Sequence, residues 1–351
     1  MNTQKIIEIL DPQAGKLRET ILQDAAPNQN LSLFESKPGQ RAMTLQEAVN
    51  TAGFPVILRD GLKAIVYESY AGVATTWQDW VQVLQSDKQS EDWVESNAVG
   101  ELPIVHEGTP YPEIKRDLDR TLNIRNYKRG DILEVTEEAI RFDKIPQLRF
   151  DASDAGRRAA NTREQSCYTV VSTAGNYVRN STTGDNDIGA NTAATVFSAS
   201  GVNTALTTIR TSKDRKSGVY FGANPDTLIV TPRLEVAAKQ LLMSSMLQRV
   251  GGSTTNDVYG GGVTNPFRGL VNRIIVSPRL GTSYQWVLME AKRAVLLQEV
   301  EGLQVQEERQ GSTAYFNADI YRFRVRDWFG VGMLNDRFAY YSSTTGAPVV
   351  D

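Results

Sequence analysis

The most constraining stretch of this chain is a long helical pattern that begins just after Pro146. Proline has no amide N–H and its ring clashes with the preceding turn, so no uninterrupted helix runs in from earlier residues. From Gln147 onward, Leu148, Ala152, Ala155, Ala159, Thr162, Ser166, Thr169 and Thr173 recur at steps of four and three. That spacing places them on one narrow stripe of an α-helix. Their small side chains let another backbone approach closely. Arg149, Asp151, Asp154, Arg157, Arg158, Arg163 and Glu164 flank the stripe as a mostly solvated face. From Gln147 to Ala174 the helix would be about 42 Å long at 1.5 Å per residue. Alone, it reads equally well as an ordinary surface helix.

Two extended arms precede it. Val99–Tyr111 (VGELPIVHEGTPY) and Thr121–Val135 (TLNIRNYKRGDILEV) alternate apolar and polar residues in places, with Gly and Pro at the bends. Neither arm holds enough apolar residues for a core, and an isolated hairpin is marginal in water. A ribbon of this kind makes sense when it lies on another subunit. Between Pro112 and Arg129, Lys115, Arg116, Arg120, Arg125, Lys128 and Arg129 stand against Glu113, Asp117 and Asp119, a net +3. The ribbon is therefore expected to meet an acidic patch on its neighbour.

At 351 residues the length suggests about two domains. Around the ribbon and long helix, residues 1–24 pattern as a short amphipathic helix broken at Asp11-Pro12, and residues 25–40 as an extended arm. Short helices follow at Leu45–Ala52, behind a Thr44 cap with Glu47, and at Leu58–Tyr70. Thr76–Val83 alternates at a strand period. The polar, Gly-rich segment 181–191 marks the domain boundary. Thr227–Val230 reads as a buried strand, followed by a Thr231 cap, Pro232 and a helix carrying Leu234, Ala238, Leu241 and Ser245 that stops at Gly251-Gly252. Strands are expected at Val271–Val276, Trp286–Met289, Val295–Val300, Leu303–Glu308, Ile320–Trp328 and Arg337–Tyr341. In Tyr321–Arg326 three arginines face away from the aromatics, as a solvated face paired with acids such as Glu307 and Glu308.

Charge and chemistry narrow the function classes. A net charge of −3 does not suit a nucleic-acid clamp, which needs excess Lys and Arg to release counterions. The same balance weighs against reading the arginine strand as a binder of single strands. Cys167 is the single cysteine, so no intrachain disulfide forms, and it reads as a small buried filler. No apolar run is long enough to span a membrane, and Met1–Lys5 does not begin a secretory signal. The Asn180-Ser181-Thr182 sequon then reads as chance. His106 is the only histidine and has no nucleophile motif beside it, and one His and one Cys do not make a zinc site. The adjacent pairs Glu137-Glu138 and Glu307-Glu308 diverge too much for a glycosidase dyad. The glycine-rich 251–262 loop lacks the Gly-Lys-Ser/Thr ending of a phosphate loop. No catalytic, cofactor-binding or metal residue is assigned, and no enzyme is expected.

The order of elements carries more than any one motif. A flexible arm precedes GELPIVHEG…YKRGDILEVTEEAI and the long helix. DTLIVTPRL follows, and the chain closes with WVLMEAKRAVLLQEVEGLQVQEERQ and DIYRFRVRDWFGVGMLNDRFAYY. In this order and spacing, over nearly its whole length, the chain resembles the major capsid proteins of tailed bacteriophages, the Hong Kong 97-type α+β fold. More particularly it resembles the major head subunit of Mu-like phages.

The resemblance implies an N-terminal arm at 1–55, a peripheral domain at 56–98 and 136–180 with the spine helix, and an E-loop at 99–135. It further implies a linker at 181–192, an axial domain at 193–294, and peripheral strands and C-terminus at 295–351, where a return to the axial domain stays open. Glu107, Tyr111, Glu113, Lys115, Arg116, Arg120, Arg125, Lys128 and Arg129 would lie at the subunit interface. Leu148, Ala152, Ala155, Ala159, Thr162 and Ser166 would pack the spine helix. The implied function is a shell of pentamers and hexamers enclosing double-stranded DNA without sequence-specific binding. Scaffold, portal and decoration proteins are the implied partners, with assembly in the host cytoplasm, a place in the virion and no membrane. The alternatives are an encapsulin-like nanocompartment shell, with the same fold around cargo enzymes, and an enzyme of unknown chemistry.

Overall fold

In a computed structural model, the structure describes residues 54–96, 102, 104–111, 113, 118–136, 138, 145–177, 190–213, 219–247, 263–281, 283–308 and 320–348. The expected elements in residues 1–52, most of the 181–191 linker and the 251–262 loop lie outside them. The chain divides into two compact units, Met1–Leu62 and Lys63–Asp351. Of the first unit, only the opening half of helix α1 (Phe54–Gly72) is described.

In the second unit, Trp77–Asp79 forms a 3-10 turn where a strand was expected from Thr76. Trp77 and Trp80, three apart, both turn inward, which suits a three-residue turn and defeats a strand's alternation. Four strands follow: β1 (Gln82–Gln85), β2 (Ser90–Ser96), β3 (Leu118–Arg125) and β4 (Tyr127–Thr136). Helix α2 then runs from Ile145 to Ser172. Pro146 falls in its first turn, where a missing N–H costs nothing.

After α2 come β5 (Thr192–Ala193) and α3 (Ala199–Arg210). Ser198 caps α3 by accepting from Gly201 N at 3.0 Å, and Val202, Ala205, Leu206 and Ile209 form its buried face. The sequence reading missed α3. Next are β6 (Thr227–Val230), a 3-10 turn at Pro232–Leu234 and α4 (Glu235–Met243). Thr231 occupies the cap position without a side-chain cap bond. Helix α4 ends well before the expected Gly251: Ser244 is extended, and Asn265 Nδ2 donates to Leu241 O and Ser244 O at 2.6 and 3.0 Å. That side chain takes over carbonyls the helix end would leave unpaired.

The remaining strands are β7 (Met246–Leu247), β8 (Val263–Thr264), β9 (Arg273–Val276), β10 (Tyr284–Met289), β11 (Val295–Glu307), β12 (Ile320–Met333) and β13 (Ala339–Thr344). The two strands expected at 295–308 are one. Register shifts between Glu299 and Gln304 interrupt its alternation without ending it, as a bulge does. The stretch expected as a strand at Arg337 opens with a 3-10 turn, Asp336–Phe338.

Two main sheets result. One has the order β1-β11-β12-β4 and the other β5-β13-β10-β6-β9. In the first, β1 runs parallel to β11 and the other pairs are antiparallel. Helix α2 packs on this sheet, while α3 and α4 contact β13 and β9 of the second. Strands β6 and β10 are buried along most of their length, and Trp286 stacks on Tyr340 with ring centroids 5.5 Å apart.

Candidate functional site

Strands β2 and β3 form a two-stranded ribbon with Trp93 opposite Leu122. The expected arms are displaced from it. The described part of 99–111 contains no strand, and the return arm splits at Asn126 into β3 on the ribbon and β4 in the four-stranded sheet. Asn126 makes the break. Its N–H donates to Gln89 O at 2.8 Å and its Nδ2 to Lys88 O at 2.8 Å, so the chain leaves one pairing and enters the other. The root lies flush on β12 because that strand carries glycine there. A Cβ on Gly330 would stand 2.6 Å from Asn126 Oδ1, and one on Gly332 2.7 Å from Ile124 Cδ1.

Away from the root the ribbon connection is exposed. Leu102, Ile104 and Tyr111 are 84%, 87% and 85% exposed. Between them a tight turn closes with Thr109 N donating to His106 O at 3.1 Å. Gly108 has φ +81°, the left-handed region glycine enters freely. Glu107 and Glu113 are exposed here as well. Lys115 and Arg116 fall outside the described residues, and Arg120 is placed on β3 by its backbone alone.

Arg125, Lys128 and Arg129 sit at the root instead. Arg125 and Arg129 both stack on the Tyr127 ring, at 5.5 and 6.0 Å, and Arg129 also lies 4.1 Å from the Phe329 centroid. Arg163 of α2 approaches the same Phe329 at 5.2 Å. A chain of cation–π contacts thus leads from the ribbon root into the core. Arg163 is 5% exposed. It binds Asp327 through Nε and Nη2 at 3.1 and 2.6 Å and Glu299 through Nη1 at 2.7 Å. Burial opposes its charge, but the Asp327 hydrogen bond and the surrounding acids outweigh it and hold the guanidinium above its ordinary pKa. Burial lowers the pKa of Arg129, with Asp327 opposing.

Glu164 is buried too. It accepts from Thr76 N at 3.1 Å and Thr76 Oγ1 at 2.9 Å and lies 3.6 Å from Arg279 Nε. Arg279 Nη2 donates to Asn161 Oδ1 at 2.8 Å, which fastens α2 to the turn between β9 and β10. Arg163 and Glu164 therefore belong to the interior and not to the solvated face assigned to them. Of the small-residue stripe, Leu148 and Ala152 are buried, Ala155, Ala159 and Ser166 half-buried, and Thr162 exposed. The line buried most deeply is Ala152, Gly156, Ala160, Arg163, Cys167, Tyr168 and Val171.

On β12 two of the three arginines pair with acids, though with others than the two named, and the third meets an amide. Arg322 meets Glu134 at 2.8 Å, Arg326 lies 2.6 Å from Glu301, and Arg324 donates to Gln306. The acids come from both flanking strands, because β12 is central in its sheet. A cavity of about 400 Å³ opens between α2 and the β4–β12 pair, with Lys128, Arg129, Ala155, Arg158, Ala159 and Phe329 among its walls. The described residues contain no metal-binding cluster of acidic, His or Cys side chains and no helix long and apolar enough to cross a membrane.

The fold and this exposed ribbon define a structural subunit built for contacts. Residues 119–342, more than half of the chain, match the family model described as phage capsid protein. The chain belongs to that family, and is a capsid shell protein of bacteriophage type and not an enzyme. Its fold is similar to the capsid structure of Cyanophage P-SCSP1u, with a TM-score of 0.51 at 12% identity over 77% of this chain and 88% of that one. A virus-like particle from Pyrococcus furiosus matches with a TM-score of 0.47 at 13% identity over 81% and 98%. The capsid of Myoviridae phage XM1 matches at 0.47 and 9% identity over 78% and 93%. No curated protein matches the sequence.

Proposed function

We propose that this chain is the major head subunit of a tailed phage, of Hong Kong 97 type and Mu-like kinship, which assembles into pentamers and hexamers of an icosahedral shell around double-stranded DNA. The observation that carries this is the ribbon connection, where three large apolar side chains are 84–87% exposed next to a well-filled core. Soluble monomers rarely leave such side chains together in water, and a patch of this kind marks an interaction surface. In this reading the connection between β2 and β3 is the E-loop, α2 the spine, the four-stranded sheet peripheral and the five-stranded sheet axial, with β13 the returning C-terminal strand.

Head-to-tail contacts between copies close into rings. Many modest contacts, each reversible, sum to a durable shell once several engage together. A slightly acidic subunit, with net charge −3, holds packaged DNA without gripping it. Scaffold, portal and decoration proteins complete the head, which is built in the host cytoplasm and ends in the virion.

Ser96 and Leu118 face each other in register, so residues 97–117 can be replaced by an Asn-Gly turn without disturbing the ribbon below. This cut is cleaner than one through β3 into Tyr127, which would remove the Asn126 anchor. The shortened chain is expected to stay soluble and folded by circular dichroism and to form no shells in negative-stain images. Normal particles would overturn the assignment. Full-length shells carrying cargo protein and no DNA would favour the nanocompartment, and a solitary compact monomer at high concentration would refute shell formation altogether.

A further inference from the structure

We propose that the turn Pro232–Leu234 docks a helix of a separate partner protein, one that carries a carboxylate and amides together on one face. The chain contains the same strand-and-turn unit twice: Thr227–Leu234 reads TLIVTPRL and Arg273–Leu280 reads RIIVSPRL. Their strands, β6 and β9, lie side by side in parallel, with Leu228 opposite Ile274 and Val230 opposite Val276. Each strand ends in a 3-10 turn that opens on Pro and buries its Leu. Parallel strands in matching register bring the two turns to the same end of the sheet.

The later turn shows what such a unit holds. Arg279 reaches α2, where Nη2 donates to Asn161 Oδ1 at 2.8 Å, Nη1 donates to Gln165 Oε1 at 3.4 Å, and Nε lies 3.6 Å from Glu164. These three partners sit at i, i+3 and i+4, on one face of the helix, within the span of a guanidinium fork. Ser277 also hydrogen-bonds Tyr168 of the same helix. The earlier turn presents the same groups to solvent. Arg233 is exposed, and its guanidinium meets the Tyr284 ring at 5.7 Å but no carboxylate or amide among the described residues. Thr231, in the place of Ser277, has a buried hydroxyl with no partner among the described residues. Beyond the turn, Val236 and Met243 of α4 are 67% and 56% exposed. With Arg233 and Gln240 they recur at steps of three and four, which puts them on one face. Exposed apolar side chains beside a free guanidinium suit an amphipathic helix with an acidic rim. The described helices of a second copy do not supply it. Helix α1 has no amide side chain, α3 has no acid, and Glu235 of α4 is held by Lys239, while the stripe on α2 is used inside its own subunit.

The test uses the full-length chain and a stapled helical peptide of residues 155–172 with Cys167→Ser, because this segment is what the equivalent turn already holds. Fluorescence anisotropy is expected to show saturable binding. Arg233→Gln in the chain, or Glu164→Gln in the peptide, should weaken it about tenfold, since each removes one side of a charge-assisted contact. Arg233 is exposed, so Arg233→Gln should leave the melting temperature unchanged. A photo-crosslinker on the peptide should mark residues 232–243. No binding, binding indifferent to Arg233→Gln, or crosslinks confined to the Arg279 turn, where the peptide would merely displace α2, each overturns the proposal. Phenylglyoxal labelling read by mass spectrometry then separates the sources of the helix. In particles assembled from this chain alone, Arg233 should react as fast as in the free subunit. Protection there would assign the turn to a second copy, residues 1–53 included, and overturn the separate partner. Each of these outcomes leaves the shell reading standing, which falls only if the wild-type chain makes no particles.

Discussion

Arg163 carries two carboxylates, Asp327 and Glu299, in a site where it is only 5% exposed. Removing one partner of such a set leaves an uncompensated buried charge, which costs more than the set contributes when whole. Arg163→Met is therefore expected to lose about 3–5 kcal/mol in urea unfolding. The double variant Arg163→Met/Asp327→Leu should regain part of it, because the more deeply buried of the two orphaned carboxylates is gone and Glu299 keeps its hydrogen bond from Gln85 Nε2 at 2.9 Å. A single variant as stable as the wild type would show that the network is idle. Burial also raises the acid groups of the interior: the Cys167 thiol, and the Tyr177 and Tyr168 phenols, all sit above their ordinary values. In the unfolded chain these ionise near pH 8.5 and 10, while the folded chain still holds the protons. Their contribution is thus complete below the unfolded values and is lost progressively as pH rises from there toward the raised folded values. Melting temperature is expected to hold between about pH 7 and 8 and to fall from about pH 9 to 11. Cys167 should resist alkylation at pH 8 until the protein unfolds.

Among the elements, the ribbon root depends on what β12 leaves out. With Gly332 so close to Ile124, Gly332→Val must push the root off the sheet. An overpacked contact typically costs about 1–3 kcal/mol, and protease cleavage near residues 97–117 is expected to speed up. Unchanged cleavage would mean the root is not held there. The same elements show what the sequence could and could not reveal. Helix α2 was legible because Pro146 fixed its start and its 3.6-residue period runs through 28 residues. Its true buried line was not. Gly156, where a Cβ would collide with Ser69 and the Val66 carbonyl of α1, breaks the pattern of alanines. Arg163 and Glu164 look solvated until their partners, more than a hundred residues away in Asp327 and Arg279, come into view. Strand β2, SEDWVES, is too polar to announce itself, so the sequence pattern places the ribbon nine residues late, at Val99 where the strand begins at Ser90. Helix α3 was lost among Ser, Thr and Asn residues whose helical role depends on packing. That Glu107, Tyr111 and Glu113 stand on a connection without a core of its own could be read from the sequence, while the cavity beside Arg129 needs strands β4 and β12 brought together.

At the scale of the whole chain, residues 63–351 hold an apolar interior of their own. The main cluster of buried side chains runs from Trp77 to Tyr341 and draws on both large sheets, so residues 63–351 have the apolar interior a stable body requires. A chain lacking residues 1–53 is accordingly expected to keep its circular dichroism spectrum and a melting temperature within a few degrees of the full chain. If residues 1–53 act as an intersubunit arm, as the capsid reading holds, the truncated protein should remain a soluble subunit and fail to close shells. Sedimentation separates the outcomes. A folded subunit that sediments slowly fits the arm, full particles would show the segment is dispensable for assembly, and an unfolded aggregate would place it in the folding core.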